Sequence, residues 1–278
     1  MRLSVVLLVT AIMAVLSSSA QASIIAYEGF DGGTIGSDVA GVGSATGTGF
    51  EDLTSATTNF RFDTRAGLSY LNLDVSGNSA GEIVAAGGTQ NLQLELSTPI
   101  NSGTIWSSYL MQVNGVNSWG QVSGMFSGSV GSGNSTGSVE EATLRATSSN
   151  WGVKGKAGLD SRTGPDSTPD TTGTFFVVNE YNLDTGTMTA YLNPTDLTDV
   201  IGTASHSITD SATSGSFSFT HFGFSLAGSA ASTGFIDEVR IGDTLADVTP
   251  LTSTAVPEPT SLAILGMCGL GMLTRRRR

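Results

Sequence analysis

The sequence predicts an all-β protein, a two-sheet antiparallel sandwich followed by a short C-terminal transmembrane helix. Three observations carry this. Apolar and polar residues alternate with a period of two in one segment after another. Gly, Asn, Asp and Ser fill the intervals between those segments. The middle of the chain lacks the long helical-period stretches of soluble helices. With 39% hydrophobic and only 13% charged residues, the 278-residue chain has enough apolar content for a packed core. Its 36 glycines suit a turn-rich β protein.

The first element is an address. Arg2 supplies a positive start, Leu3 to Leu16 an apolar run, and Ala20-Gln21-Ala22 a small-residue cleavage site. Residues 1–22 therefore read as a signal peptide, and the mature chain starts at Ser23. An uncleaved anchor would not need the small residues at Ala20 and Ala22. The single cysteine, Cys268, lies near the other end, so the body has neither a disulfide nor a cysteine-based zinc site.

The strands follow in order. Leu71, Leu73 and Val75 alternate in LSYLNLDV, and Leu92, Leu94 and Leu96 in NLQLELS. TIWSSYLMQV (Thr104–Val113), TFFVVNEY (Thr174–Tyr181) and TMTAYL (Thr187–Leu192) come next. Asp184-Thr185-Gly186 between the last two reads as a hairpin turn. In SFSFTHFGFSL (Ser216–Leu226) the phase changes between Phe219 and Phe222, which predicts a bulge or a strand buried on both faces. In FIDEVRI, strict alternation puts Phe235, Asp237, Val239 and Ile241 on one face and Ile236, Glu238 and Arg240 on the other. Ten to twelve strands are expected, in one domain spanning residues 23–250, with no internal repeat. Ser161 to Gly173 reads as an exposed loop, and Gly120 to Gly137 as part strand, part loop.

Residues 251–278 form a linker and a second address. Pro257-Glu258-Pro259 is an extended element, because each proline restricts its own backbone and that of the residue before it. An apolar helix over about residues 261–274 follows, shorter than the roughly 20 residues of a comfortable span. Arg275, Arg276, Arg277 and Arg278 can snorkel and hold the end on the cytoplasmic side. The segment reads as a stop-transfer element, with a plain membrane anchor as the other reading. The ordered trio of Pro-Glu-Pro, short helix and basic end resembles the PEP-CTERM sorting signal of Gram-negative bacteria. That resemblance implies export across the inner membrane to the envelope, surface or extracellular matrix. It implies recognition and removal of the tail by an exosortase, and an association with exopolysaccharide and biofilm systems.

The body has a family look as well. Tyr27-Glu28-Gly29-Phe30-Asp31, Gly173 to Val178, Tyr191-Leu192-Asn193-Pro194, and Phe235 to Gly242 resemble laminin-G-like, concanavalin A-like jelly rolls. The resemblance implies a fold rather than a function.

Charge and motifs narrow the chemistry. Five of the 12 basic residues lie in the terminal segments, whereas all of the 24 acidic residues except Glu258 lie in the body. Such an acidic body lacks the basic footprint of a nucleic-acid binder. Retaining glucanases of similar fold need two carboxylates about 5 Å apart. No Glu-x-Asp-x-(x)-Glu strand signature occurs. Glu140-Glu141 and Asp237-Glu238 are adjacent and should point to opposite faces. Phosphate-loop, zincin and EF-hand motifs are absent from the sequence. A non-catalytic structural or adhesive role is expected, with a carbohydrate-binding module and a glycan-cleaving enzyme as alternatives.

Two site expectations remain. Trp119 and Trp151, with Asn and Gly neighbours, are candidates for stacking on sugars of an extracellular polysaccharide, whereas Trp106 reads as core. Asp237, in an otherwise apolar row, must be paired, hydrogen-bonded or metal-bound. The jelly-roll resemblance implies a structural calcium ion there, shared with Glu28 or Asp31. Backbone N–H groups or an arginine are the alternative partners.

Overall fold

The computed structural model describes residues 24–38, 47–55, 62–84, 89–128, 141–146, 151–154, 160–161, 173–211 and 218–252. Thirteen strands lie among them: β1 (Ile24–Glu28), β2 (Phe50–Ser55), β3 (Asp63–Ala66), β4 (Asn78–Val84), β5 (Thr89–Ile100), β6 (Thr104–Phe126), β7 (Glu141–Ala146), β8 (Trp151–Lys154), β9 (Asp160–Ser161), β10 (Phe175–Asn182), β11 (Thr187–Leu192), β12 (His206–Ser211) and β13 (Phe219–Gly242). Two one-turn helices, α1 (Val200–Thr203) and α2 (Leu245–Val248), complete the set.

The two long strands organise everything else. β6 and β13 pair antiparallel along their length, from Trp106 opposite Gly242 to Phe126 opposite His221. Their ladder is irregular between Leu226 and Thr233. On one side of that irregularity the strand order is β12-β11-β10-β6-β13-β4-β3, with β1 on the end of β13. On the other side β13 pairs β5, which pairs β2, and β6 pairs β7, which leads to β8 and β9. Each long strand thus serves two sheets.

Side-chain contacts show that these sheets lie face to face. Tyr109 of the first meets Phe222 of the second edge-on, with ring centres 5.3 Å apart. Tyr181 meets Phe219 in the same way at 5.1 Å. Leu94, Leu96, Met111, Met125, Val177, Ile236 and Ile241 fill the space between. Burying one such side chain completely stabilises the fold by about 1.5–3 kcal/mol. The period-two pattern of NLQLELS carries Leu92, Leu94 and Leu96 into this interior.

Two other expectations hold in detail. β10 and β11 form a hairpin, with Asn182 opposite Thr187 and Gly186 at φ 68° in the turn. The phase change in the phenylalanine-rich strand is a break in register between Phe219 and His221, and it leaves Phe219, Phe222 and Phe224 all buried.

LSYLNLDV is a correction: it is no strand. Residues 67–77 form a loop over the outer face of the first sheet, anchored by one bridge between Leu73 and Leu251. Leu73 packs there with Leu110, Phe176, Val178, Leu197, Val200 and Val248. The apolar spacing reflects which side chains the loop lays on the sheet, and Leu71, at φ 44°, points into solvent. Among the described residues no helix is long and apolar enough to cross a membrane. The helix expected at residues 261–274 lies outside them.

Candidate functional site

The first and last strands meet in a polar seam. β1 pairs β13 with Tyr27 opposite Arg240 and Glu28 opposite Val239. Just before this, the ladder with β6 slips. Asp237 faces Leu110 and Arg240 faces Ser108, so two residues occupy the space of one. This β-bulge holds Glu238 at φ 54°. It corrects the expected faces. Ile236, Val239 and Ile241 point inward, while Asp237, Glu238 and Arg240 engage the cover loop at 67–77 and the strand beside them. A strict period of two could not show this, because the extra residue resets the phase.

Asp237 is completely buried beneath that loop. Its Oδ2 accepts the Leu68 N–H at 2.8 Å, and its Oδ1 accepts the Glu238 N–H at 2.8 Å. Burial nevertheless pushes its carboxyl up to about 8, against the pull of these two donors. Glu238 accepts the Ser76 N–H, the Tyr27 hydroxyl at 3.2 Å and Arg240 Nη2. Its carboxyl is also raised by burial, despite the arginine. Asp237 and Glu238 therefore reach the same loop, contrary to the opposite faces expected of neighbours in a strand.

Arg240 Nη2 also donates to the Asp74 carbonyl, and its guanidinium lies 5.1 Å from the centre of the Tyr27 ring. Its Nη1 is buried with no hydrogen-bond partner among the described residues. Burial raises the Tyr27 phenol to about 12. That hydroxyl lies 2.7 Å from Ser76 Oγ, which in turn donates to Asp31 Oδ2 at 3.3 Å. Gly77, at φ 65°, lets the loop close here, since a β-carbon would come within 1.3 Å of Asp31 Oδ1. The result is a pocket of about 290 Å³ lined by Ile24, Tyr27, Asp74, Val75, Ser76, Arg240 and Pro250.

The residues expected at a calcium ion are placed otherwise. Glu28 is buried and accepts the Phe30 N–H at 2.6 Å and the Gly47 N–H at 3.2 Å. Asp31 is exposed, and both oxygens of Asp237 are taken by backbone donors. Among the described residues no three Asp, Glu, His or Cys side chains gather as metal ligands would. This donor set does not fit an ion that takes about six to eight oxygens.

Trp151 corrects the stacking expectation. It is 2% exposed and packs against Phe175 with ring centres 5.2 Å apart, so no face is open to a sugar. The Trp119 side chain lies outside the described atoms, although its backbone is in β6. Trp106 is half-buried on the outer face rather than in the interior, stacked on Tyr191 at 6.2 Å. His221 donates to or accepts from Thr220 Oγ1 at 2.8 Å; burial lowers its pKa, opposed by Glu95. Ala20, Ala22, Pro257, Glu258, Pro259 and Arg275 to Arg278 lie outside the described residues.

The seam around Tyr27, Ser76 and Arg240 escaped sequence reasoning. One signal for it existed: Arg240 is a rare basic residue in an acidic body and sits two positions from Glu238.

Comparison with known proteins adds an address and a likeness of shape. Residues 255–278 match the PEP-CTERM protein-sorting motif. No curated protein matches the chain. Among solved structures, basic winged bean lectin is similar at 14% identity and a TM-score of 0.45, covering 68% of this chain and 98% of its own. The carbohydrate recognition domain of Emp47p is similar at 9% identity and 0.44, covering 81% and 99%. A sialidase is similar at 10% and 0.43, covering 68% of this chain but only 17% of its own. The two-sheet architecture itself is read from the strand ladders above.

Proposed function

We propose that this chain, with a PEP-CTERM motif at residues 255–278, is a non-catalytic protein exported across the inner membrane of a Gram-negative bacterium. Its work is structural or adhesive, in the envelope or extracellular matrix and in association with glycans. The sorting motif is the observation that carries this reading. A signal peptide ending at Ala22 starts export. An exosortase then grips the extended Pro257-Glu258-Pro259 segment while the apolar run and Arg275 to Arg278 hold the end in the membrane. The state of the acidic residues supports the absence of catalysis. Asp237 and Glu238, the adjacent carboxylates at the seam, are buried and engaged by N–H or O–H donors rather than facing a cleft. C-terminal mass spectrometry of the protein from its native host tests the proposal. Loss of Arg275 to Arg278 with most of the apolar run is expected. An intact Arg278 on surface-exposed protein would leave a plain membrane anchor. Release of reducing sugar from a polysaccharide, abolished by one carboxylate substitution, would instead make the protein an enzyme.

A further inference from the structure

We infer that the pocket at the seam of β1 and β13 is a subsite for one neutral sugar unit. The choice of a sugar rests on the glycan-associated reading above; the existence of a subsite rests on the pocket alone. At about 290 Å³ it is near the lower end of small-molecule sites. It combines two kinds of wall. Ile24, Val75, Pro250 and the ring of Tyr27 are apolar and can take the C–H face of a sugar ring. Ser76 Oγ and Tyr27 Oη lie 2.7 Å apart; their hydrogens are engaged by Asp31 and Glu238, and their lone pairs can accept from a ligand hydroxyl.

Arg240 closes one side of the pocket; it is 4% exposed, and Glu238 already neutralises its guanidinium through Nη2. Asp31 and Asp74 stand beside the pocket, so an anion meets repulsion. A cation would face the arginine. An uncharged occupant meets neither obstacle, and its hydroxyls can donate to Ser76 Oγ and Tyr27 Oη. Ile24, 39% exposed, and Leu251, 36% exposed, leave apolar surface on the residues beside the opening, in keeping with one unit of a longer glycan.

The test uses the full-length chain in mild detergent and saturation-transfer NMR. The probes are glucose, galactose and mannose, with glucuronate and a blocked glycine amide as charged and peptide counterparts. Transfer to at least one neutral hexose is expected. Val75→Phe, which fills the half-buried wall, should abolish it while leaving the melting temperature within a few degrees. Ser76→Ala should weaken it about fivefold, the worth of one hydrogen bond. The inference is overturned if no hexose shows transfer, if only glucuronate or the glycine amide does, or if Val75→Phe binds as the parent does. Retention on matrix polysaccharide that Val75→Phe leaves unchanged would reject this pocket and keep the glycan-associated role. An uncleaved tail would reject the sorting reading without touching the NMR result.

Discussion

The two faces of the first sheet are built on different principles. The inner face packs against the second sheet through interlocking apolar rings such as Tyr109 on Phe222 and Tyr181 on Phe219. The outer face is covered by loops and two one-turn helices, and beneath them lie Asp237, Glu238 and Arg240. The interior is held by burial and shape, which any apolar residue of suitable volume partly supplies. The cover is held by particular donors and acceptors, among them Arg240 Nη2 on Glu238 and the Leu68 N–H on Asp237. Shape fills one face, and named polar contacts hold the other.

Breaking the interior should have the largest effect. Phe222→Ala removes a fully buried ring and is expected to cost about 3–5 kcal/mol, read as a shifted denaturant midpoint. A loss below about 1 kcal/mol would mean that the sheets do not depend on that contact.

Breaking the cover should cost less. Arg240→Ala strips Glu238 of its buried partner, a change that costs about 3–5 kcal/mol where the remaining charge stays uncompensated. Here Glu238 keeps the Ser76 and Tyr27 donors, and its raised carboxyl can take up a proton, so a loss at the lower end, about 3 kcal/mol, is expected. Arg240→Ala matching Phe222→Ala in the same denaturant series would show that the cover is as essential as the interior.

The response to pH sharpens the contrast, because the two carboxyls that burial raises, Asp237 and Glu238, both lie in the cover. Asp237 titrates at about 8 in the folded chain and at its ordinary 3.8 once exposed. The folded state therefore holds a proton that the unfolded state has released, and stability falls as pH rises from about 4 through 8. Glu238 shifts in the same direction. Melting temperature recorded across that window should decline in the parent and decline less steeply in Asp237→Asn, where Glu238 remains. An equal slope in both would place the titration elsewhere.

The sequence shows the interior far better than the cover, for a physical reason. Leu92, Leu94, Leu96 and the β10–β11 hairpin follow from alternation and turn chemistry, which act over a few neighbouring residues. The loop at 67–77 imitates that alternation without pairing, because it borrows the outer face of a sheet assembled from distant segments. At Glu238, one bulge exchanges the two faces of FIDEVRI, and the sequence has no glycine there to announce a positive φ. The pocket needs Tyr27, Ser76 and Arg240 together. These residues come from β1, the cover loop and β13, whose meeting is a tertiary fact. Trp151 failed as a sugar platform for a related reason: its Asn150 and Gly152 neighbours made it a stacking candidate, while β8 carries the ring inside.

The same seam brings the two ends of the body side by side. Ile24 opens β1 opposite Gly242, and Ile24 and Pro250 line one pocket. Bridging Ser23 to Leu251 with a few glycines and opening the chain at Asp184–Gly186 should yield a circular permutant with the strand order intact. The body can likewise be spliced into a loop of another protein as an insert, entering and leaving through one narrow doorway.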